Sequence, residues 1–147
     1  MGAGCTVTAI RSPYRWGRRS LTRLQTCTPE IQRLLTEALE HPDCPCDMTI
    51  VYGHRSNDKQ AELYAIGRTK PGAIVTNAKP GQSRHNSFPS EAVDVVPYVN
   101  GGMSWDWAHI TPMATHIKRV AEELGIPIVW GGDWKMRDGA HFEQPRS

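Results

Sequence analysis

Apolar residues recur along this chain with two different periods, and those periods place most of its elements. Ile31, Leu34, Leu35, Ala38 and Leu39 fall on one helical stripe. Thr28 ahead of them suits an N-cap, Pro29 the first helical position and Glu30 the first turn, and His41-Pro42 ends the segment. A longer stripe of Ile110, Met113, Ala114, Ile117, Val120, Ala121 and Leu124 predicts a helix near Ala108 to Leu124, stopped by Gly125 and Pro127. A shorter helix is expected from Asp58 to Ile66, closed by Gly67.

Met48 to Tyr52 and Ala92 to Tyr98 read as strands. In the second, alternation sets Ala92, Asp94 and Val96 on one face and Val93 and Val95 on the other. Both faces are apolar apart from Asp94, and a lone carboxylate there is costly unless a cation or several donors compensate it. Ile126 to Trp130 and Ala140 to Glu143 read as further short strands around a Gly131-Gly132-Asp133 turn. Residues 69 to 90 carry little periodicity, and so long a loop in a small domain points to function. The expected fold is α+β, a single small domain with an antiparallel sheet and about three helices. Residues 1–15 form an extension and 16–147 the domain.

Composition adds limits. The 147 residues include no run approaching the roughly 20 apolar positions of a membrane span, so stable membrane insertion is not expected. The opening MGAGCTVTAI lacks a charged segment and a long apolar run, so no secretory signal is expected and the product is placed in the cytoplasm as synthesised. A net charge of +2 argues against nucleic acid as a partner. Arg11, Arg15, Arg18, Arg19 and Arg23 cluster before the first acidic residue, Glu30; a solvated, partly disordered arm is the preferred reading over an electrostatic tether. His41, Cys44 and Cys46 lack a partner motif at zinc-finger spacing and read as a turn-rich loop. His109 and His116 stand two helical turns, about 10 Å, apart, too far for one ion, and read as surface or boundary residues. Core packing is expected for most of Trp105, Trp107, Trp130 and Trp134.

A catalytic zinc site takes three His or carboxylate ligands and leaves one position for water. His85 leaves the long loop, Asp94 sits in the next strand and His141 begins the last one, shortly after Asp138. Spacing alone also allows Asp138 and His141 to pair as ordinary polar groups and His85 to cap a turn.

Several segments in order carry a more specific signal. They are Tyr52-Gly53-His54-Arg55 through Gln60 to Tyr64, Gly67-Arg68-Thr69, Val75 to Ala78, Pro80 to Asn86 with Ser83 and His85, Ala92-Val93-Asp94, Trp130 to Trp134, and Asp138-Gly139-Ala140-His141-Phe142. Together, over roughly residues 16 to 143, they resemble the LAS-type metallopeptidases, and within them the L-alanyl-D-glutamate peptidases that serve tailed phages as endolysins.

The resemblance implies that His85, Asp94 and His141 bind Zn2+, that Asp138 is the general base, and that Arg55 steadies negative charge developing on the substrate. Ser83 and Gln60 fall in motif positions near the substrate. Between His85 and Asp94 this chain has a longer segment than many relatives, with Phe88-Pro89-Ser90 where they have a glycine, which reads as a loop variant. The implied function is cleavage of peptidoglycan stem peptides at the L-Ala–D-Glu bond for host lysis. The enzyme is expected to act as a monomer in the periplasm or cell wall, released by a holin. With no further domain to hold the wall, a Gram-negative host is expected. The alternatives are a D-Ala-D-Ala carboxypeptidase or dipeptidase, and a non-catalytic zinc domain of a virion or wall-binding protein.

Overall fold

A computed structural model describes residues 10–146, and in it four helices accompany one five-stranded antiparallel sheet. The helices are α1 (Arg18–Leu24), α2 (Pro29–Glu40), α3 (Asn57–Ala65) and α4 (Trp107–Leu124). The strands are β1 (Asp47–Tyr52), β2 (Ala92–Val99), β3 (Gly102–Met103), β4 (Val129–Trp130) and β5 (His141–Glu143). They order as β1-β2-β5-β4, with β3 folding back on the far end of β2. The α+β expectation is borne out, with one helix more than anticipated.

The two apolar stripes explain the core. Ile31, Leu34, Leu35, Ala38 and Leu39 of α2 are buried against α4, whose Ile110, Met113, Ala114, Ile117 and Val120 are buried in turn. Val93, Val95 and Phe142 project from the sheet into the same cluster. Thr28 caps α2 by accepting from the Ile31 N–H, with Pro29 at the first position. Gly125, at φ +69°, ends α4, and the Ile126 N–H turns back to the Ala121 carbonyl. That bond and Pro127 keep Ile126 to Ile128 out of the sheet, so β4 is shorter than the expected Ile126 to Trp130.

The arginine-rich segment is not a solvated arm over its described part. Arg18–Leu24 is helical, Leu24 enters the core, and the Ser20 hydroxyl accepts from the Ile50 N–H at 3.0 Å. Arg23 donates to the Ile50 carbonyl at 3.0 Å, and Arg11 lies 3.4 Å from Glu37 and 3.5 Å from Glu40. Ser12 donates its N–H to the Glu40 carbonyl and its hydroxyl to the Leu39 carbonyl, satisfying carbonyls that the end of α2 leaves open. Residues 1–9 of the expected extension lie outside the described residues. His116, read as a surface or boundary group, is buried, with Nε2 2.8 Å from the Ala38 carbonyl.

Candidate metal centre and its cleft

Sheet register builds the site. Asp94 pairs with Tyr52 of β1 on one side and with His141 of β5 on the other, so the Asp94 and His141 side chains share the face opposite the core. Phe142, one residue on, points into the core and fixes which way His141 faces. His85 arrives from a single 3-10 turn, Arg84–Asn86, that starts with Ser83. There the Ser83 hydroxyl accepts from the His85 N–H and the Asn86 carboxamide accepts from the Ser83 N–H. The longer segment between His85 and Asp94 does not keep them apart. Phe88 projects outward, Ser90 is tied to Thr26 and Thr28 through its backbone, and the two side chains still meet.

One atom each of His85, Asp94 and His141 lies within 4.8 Å of the other two, the one such His/Cys/Asp/Glu group among the described residues. The Asp94 Oδ1 oxygen is 3.2 Å from His85 Nε2 and 3.1 Å from His141 Nδ1. The remaining ring nitrogens are already committed. His85 Nδ1 is 2.8 Å from the Gly53 carbonyl, and His141 Nε2 is 2.8 Å from Glu143 Oε1. Both partners are acceptors, as is the Asp94 carboxylate on the inner side, so the single proton of a neutral ring can serve one side only. In the tautomer that serves the outer partner, the inner nitrogen is bare. A neutral His85 then presents a bare Nε2 lone pair, and a neutral His141 a bare Nδ1 lone pair, toward a carboxylate oxygen. Three acceptors converging on one point require a positive charge among them. The residues therefore fit a divalent cation, with nitrogen and oxygen donors of the kind zinc takes.

The electrostatics agree. Burial alone lowers the His141 pKa, but hydrogen bonds to Asp94 and Glu143 and the Asp94 charge outweigh it, raising it from 6.5 to about 9. Without a cation, the proton held on His141 takes its place. Burial pushes Asp94 up, yet the charges and hydrogen bonds of His85 and His141 hold it well below the ordinary carboxylate range. Asp138 is raised above the ordinary aspartate value, first by burial and then by the Asp94 charge.

Asp138 borders the same cleft of about 990 Å³ as the three side chains. Its position depends on Gly131, whose carbonyl accepts from the Asp138 N–H at 2.9 Å. A Cβ on Gly131 would stand 2.5 Å from the Asp138 carbonyl oxygen and 3.1 Å from the His141 Cβ, so only glycine lets the Asp138–His141 turn approach. Arg55 is nearly buried in the wall. Its Nη1 donates to Gln60 Oε1 at 2.9 Å, its Nη2 lies 3.4 Å from Asp94 Oδ2, and its guanidinium sits 4.4 Å from the Tyr52 ring centroid.

Two expected substrate contacts resolve differently. Ser83 borders the cleft as well as capping the His85 turn. Gln60 is fully buried, and its amide donates to the Ala78 carbonyl, so it braces Arg55 and the 76–78 loop instead of reaching the cleft. Nor are the tryptophans mostly core. Trp130 is buried, whereas Trp105 and Trp134 border the cleft, the latter with its ring centroid 5.1 Å from that of His141. Glu143 was missed as the second partner of His141, although alternation in His141-Phe142-Glu143 puts it on the same face.

The model of the phage L-alanyl-D-glutamate peptidase family matches residues 12–146. The chain is 31% identical over 134 residues to the L-alanyl-D-glutamate peptidase of Escherichia phage T5, covering 90% of each. It is 38% identical over 104 residues to the peptidoglycan L-alanyl-D-glutamate endopeptidase CwlK of Bacillus subtilis, covering 66% of this chain and 60% of CwlK. Among solved structures it resembles the L-Ala D-Glu endopeptidase ChiX of Serratia marcescens, with a TM-score of 0.69, 31% identity and 87% of both chains covered.

Proposed function

The chain belongs to the phage L-alanyl-D-glutamate peptidase family, and from that premise we propose that it hydrolyses the L-Ala–D-Glu bond of peptidoglycan stem peptides as an endolysin. His85 Nε2, Asp94 and His141 Nδ1 would hold a zinc ion. When bound, zinc supplies Lewis acidity toward water and toward a peptide carbonyl. The reading rests above all on one observation: His85 Nε2 and His141 Nδ1 meet at the Asp94 carboxylate while the Gly53 carbonyl and Glu143 engage their other nitrogens.

Asp138 takes the proton of the attacking water on its carboxylate and delivers it to the leaving amine nitrogen. Its raised pKa suits it to carry that proton between the two steps. Arg55 faces the developing oxyanion with a guanidinium that Gln60 and Tyr52 keep from swinging. Ser83 orients His85 through its backbone and so serves the ligand set more than the substrate. Trp134 shields one side of His141 from water.

The same reading has a monomer made in the host cytoplasm and delivered to the wall by a holin. No helix among the described residues is long and apolar enough to cross a membrane. Digestion of purified sacculi tests the chemistry. Fragments that begin with D-glutamate, leaving L-alanine on the glycan, are expected. Release of D-alanine alone would overturn the bond assignment in favour of a carboxypeptidase.

A further inference from the structure

Three arginines border the cleft, and two of them are already committed to carboxylates of the protein. Arg55 lies 3.4 Å from Asp94, and Arg84 lies 3.7 Å from Glu143 and 3.9 Å from Glu91. Arg137 differs. Its Nε donates to the Gly132 carbonyl at 3.1 Å and its guanidinium lies 3.7 Å from the centroid of the Trp107 ring. Among the described residues, neither of its terminal nitrogens has a carboxylate or carbonyl partner. A guanidinium stacked on an indole and tethered at Nε has lost much of its rotamer freedom, and its open edge presents two parallel N–H donors. That edge matches a carboxylate. Arg137 immediately precedes Asp138 in the chain, and both residues border the same cleft.

We propose that Arg137 is the specificity residue that binds the free carboxylate of the residue contributing the leaving amine, a D-glutamyl unit. The inference rests on the L-Ala–D-Glu reading above. A glutamyl residue joined onward through its side-chain carboxyl keeps the other, on the carbon that bears the leaving amine, as an anion. Arg137 therefore separates acidic stem peptides from those in which the carboxylate has been converted to the carboxamide. It binds and orients; the proton chemistry stays with Asp138.

The test compares two synthetic stem-peptide substrates with the zinc-loaded enzyme, one with D-glutamate and one with D-isoglutamine after L-alanine. The native enzyme should favour the acidic substrate by about 10- to 100-fold in kcat/KM, the range expected for charge-assisted hydrogen bonds. Arg137→Gln should lose that factor on the acidic substrate, mainly through KM, and keep its rate on the amide. Arg137→Lys should restore part of the preference. Equal cleavage of both substrates by the native enzyme, or a proportional fall on both in Arg137→Gln, would overturn the assignment. If the native enzyme cuts neither at the alanyl bond, the L-Ala–D-Glu reading itself fails and takes this one with it.

Discussion

Asp94 of β2 and His141 of β5 are direct cross-strand partners, and their side chains meet 3.1 Å apart on the face turned away from the core. The third member of the cluster, His85, comes from a turn that no strand pairing controls. Two of the three side chains thus depend on one strand pairing and the third on a separate turn, which makes the site dissectible.

Replacing His85 by Ala removes one of three donors and leaves the Gly53 carbonyl without its partner. Zinc content, measured on purified protein by elemental analysis, should fall from about one ion per chain to near zero, and lysis should go with it. A variant that still carries a full equivalent would show that another residue holds the ion.

Glu143→Gln keeps the shape but weakens the acceptor that orients His141 Nε2. Outer partners of this kind are worth about 10- to 100-fold in metal affinity. Competition against a chromophoric chelator should show a loss of that size, with far-UV circular dichroism unchanged. Unaltered affinity would mean that Glu143 serves only Arg84.

Protons and metal compete for His141. Because its pKa in the metal-free protein is raised to about 9, apparent zinc affinity should climb about tenfold per pH unit up to about 9 and then level. In the metal-free protein the sign is opposite. The proton on His141 contributes stability in full below about 6.5 and loses it as pH rises through about 9. Thermal melts of chelated protein between those values check this, and a melting temperature that rises with pH would contradict it.

Asp138→Asn should lower kcat by about 10²- to 10⁴-fold while zinc stays bound. The native rate should also fall on acidification at a pH above the ordinary aspartate value, because Asp138 is raised by burial and by Asp94. Isothermal titration with zinc and a kcat profile against pH separate this from loss of the ion. A fully active variant would remove Asp138 from its role.

Much of this arrangement is legible in the residues alone. The stripes of α2 and α4 are long enough to fix their buried faces, and Asp94 stands out because its neighbours in β2 are apolar. Helix α1 escaped because Arg18–Leu24 buries only Ser20 and Leu24, too few positions to show a period. The hairpin to β3 carried a readable signal in Asn100-Gly101, both at positive φ, which is what a two-residue turn demands. Gln60 was misplaced for another reason. Its burial is decided by Arg55 and by the Thr76 and Ala78 backbone loop, and no local pattern in α3 announces it. Tryptophans cannot be sorted by type, since the same ring fills a core at Trp130 and walls a cleft at Trp134.

The pairing of Asp94 with His141 has one more consequence. In a ladder of period two, slippage by a single step would send that carboxylate inward among Val93, Val95 and Phe142 and turn the imidazole away from it. A chain whose sheet has not locked therefore carries no diminished version of the centre, only its scattered parts. Activity should arrive all at once with the finished sheet.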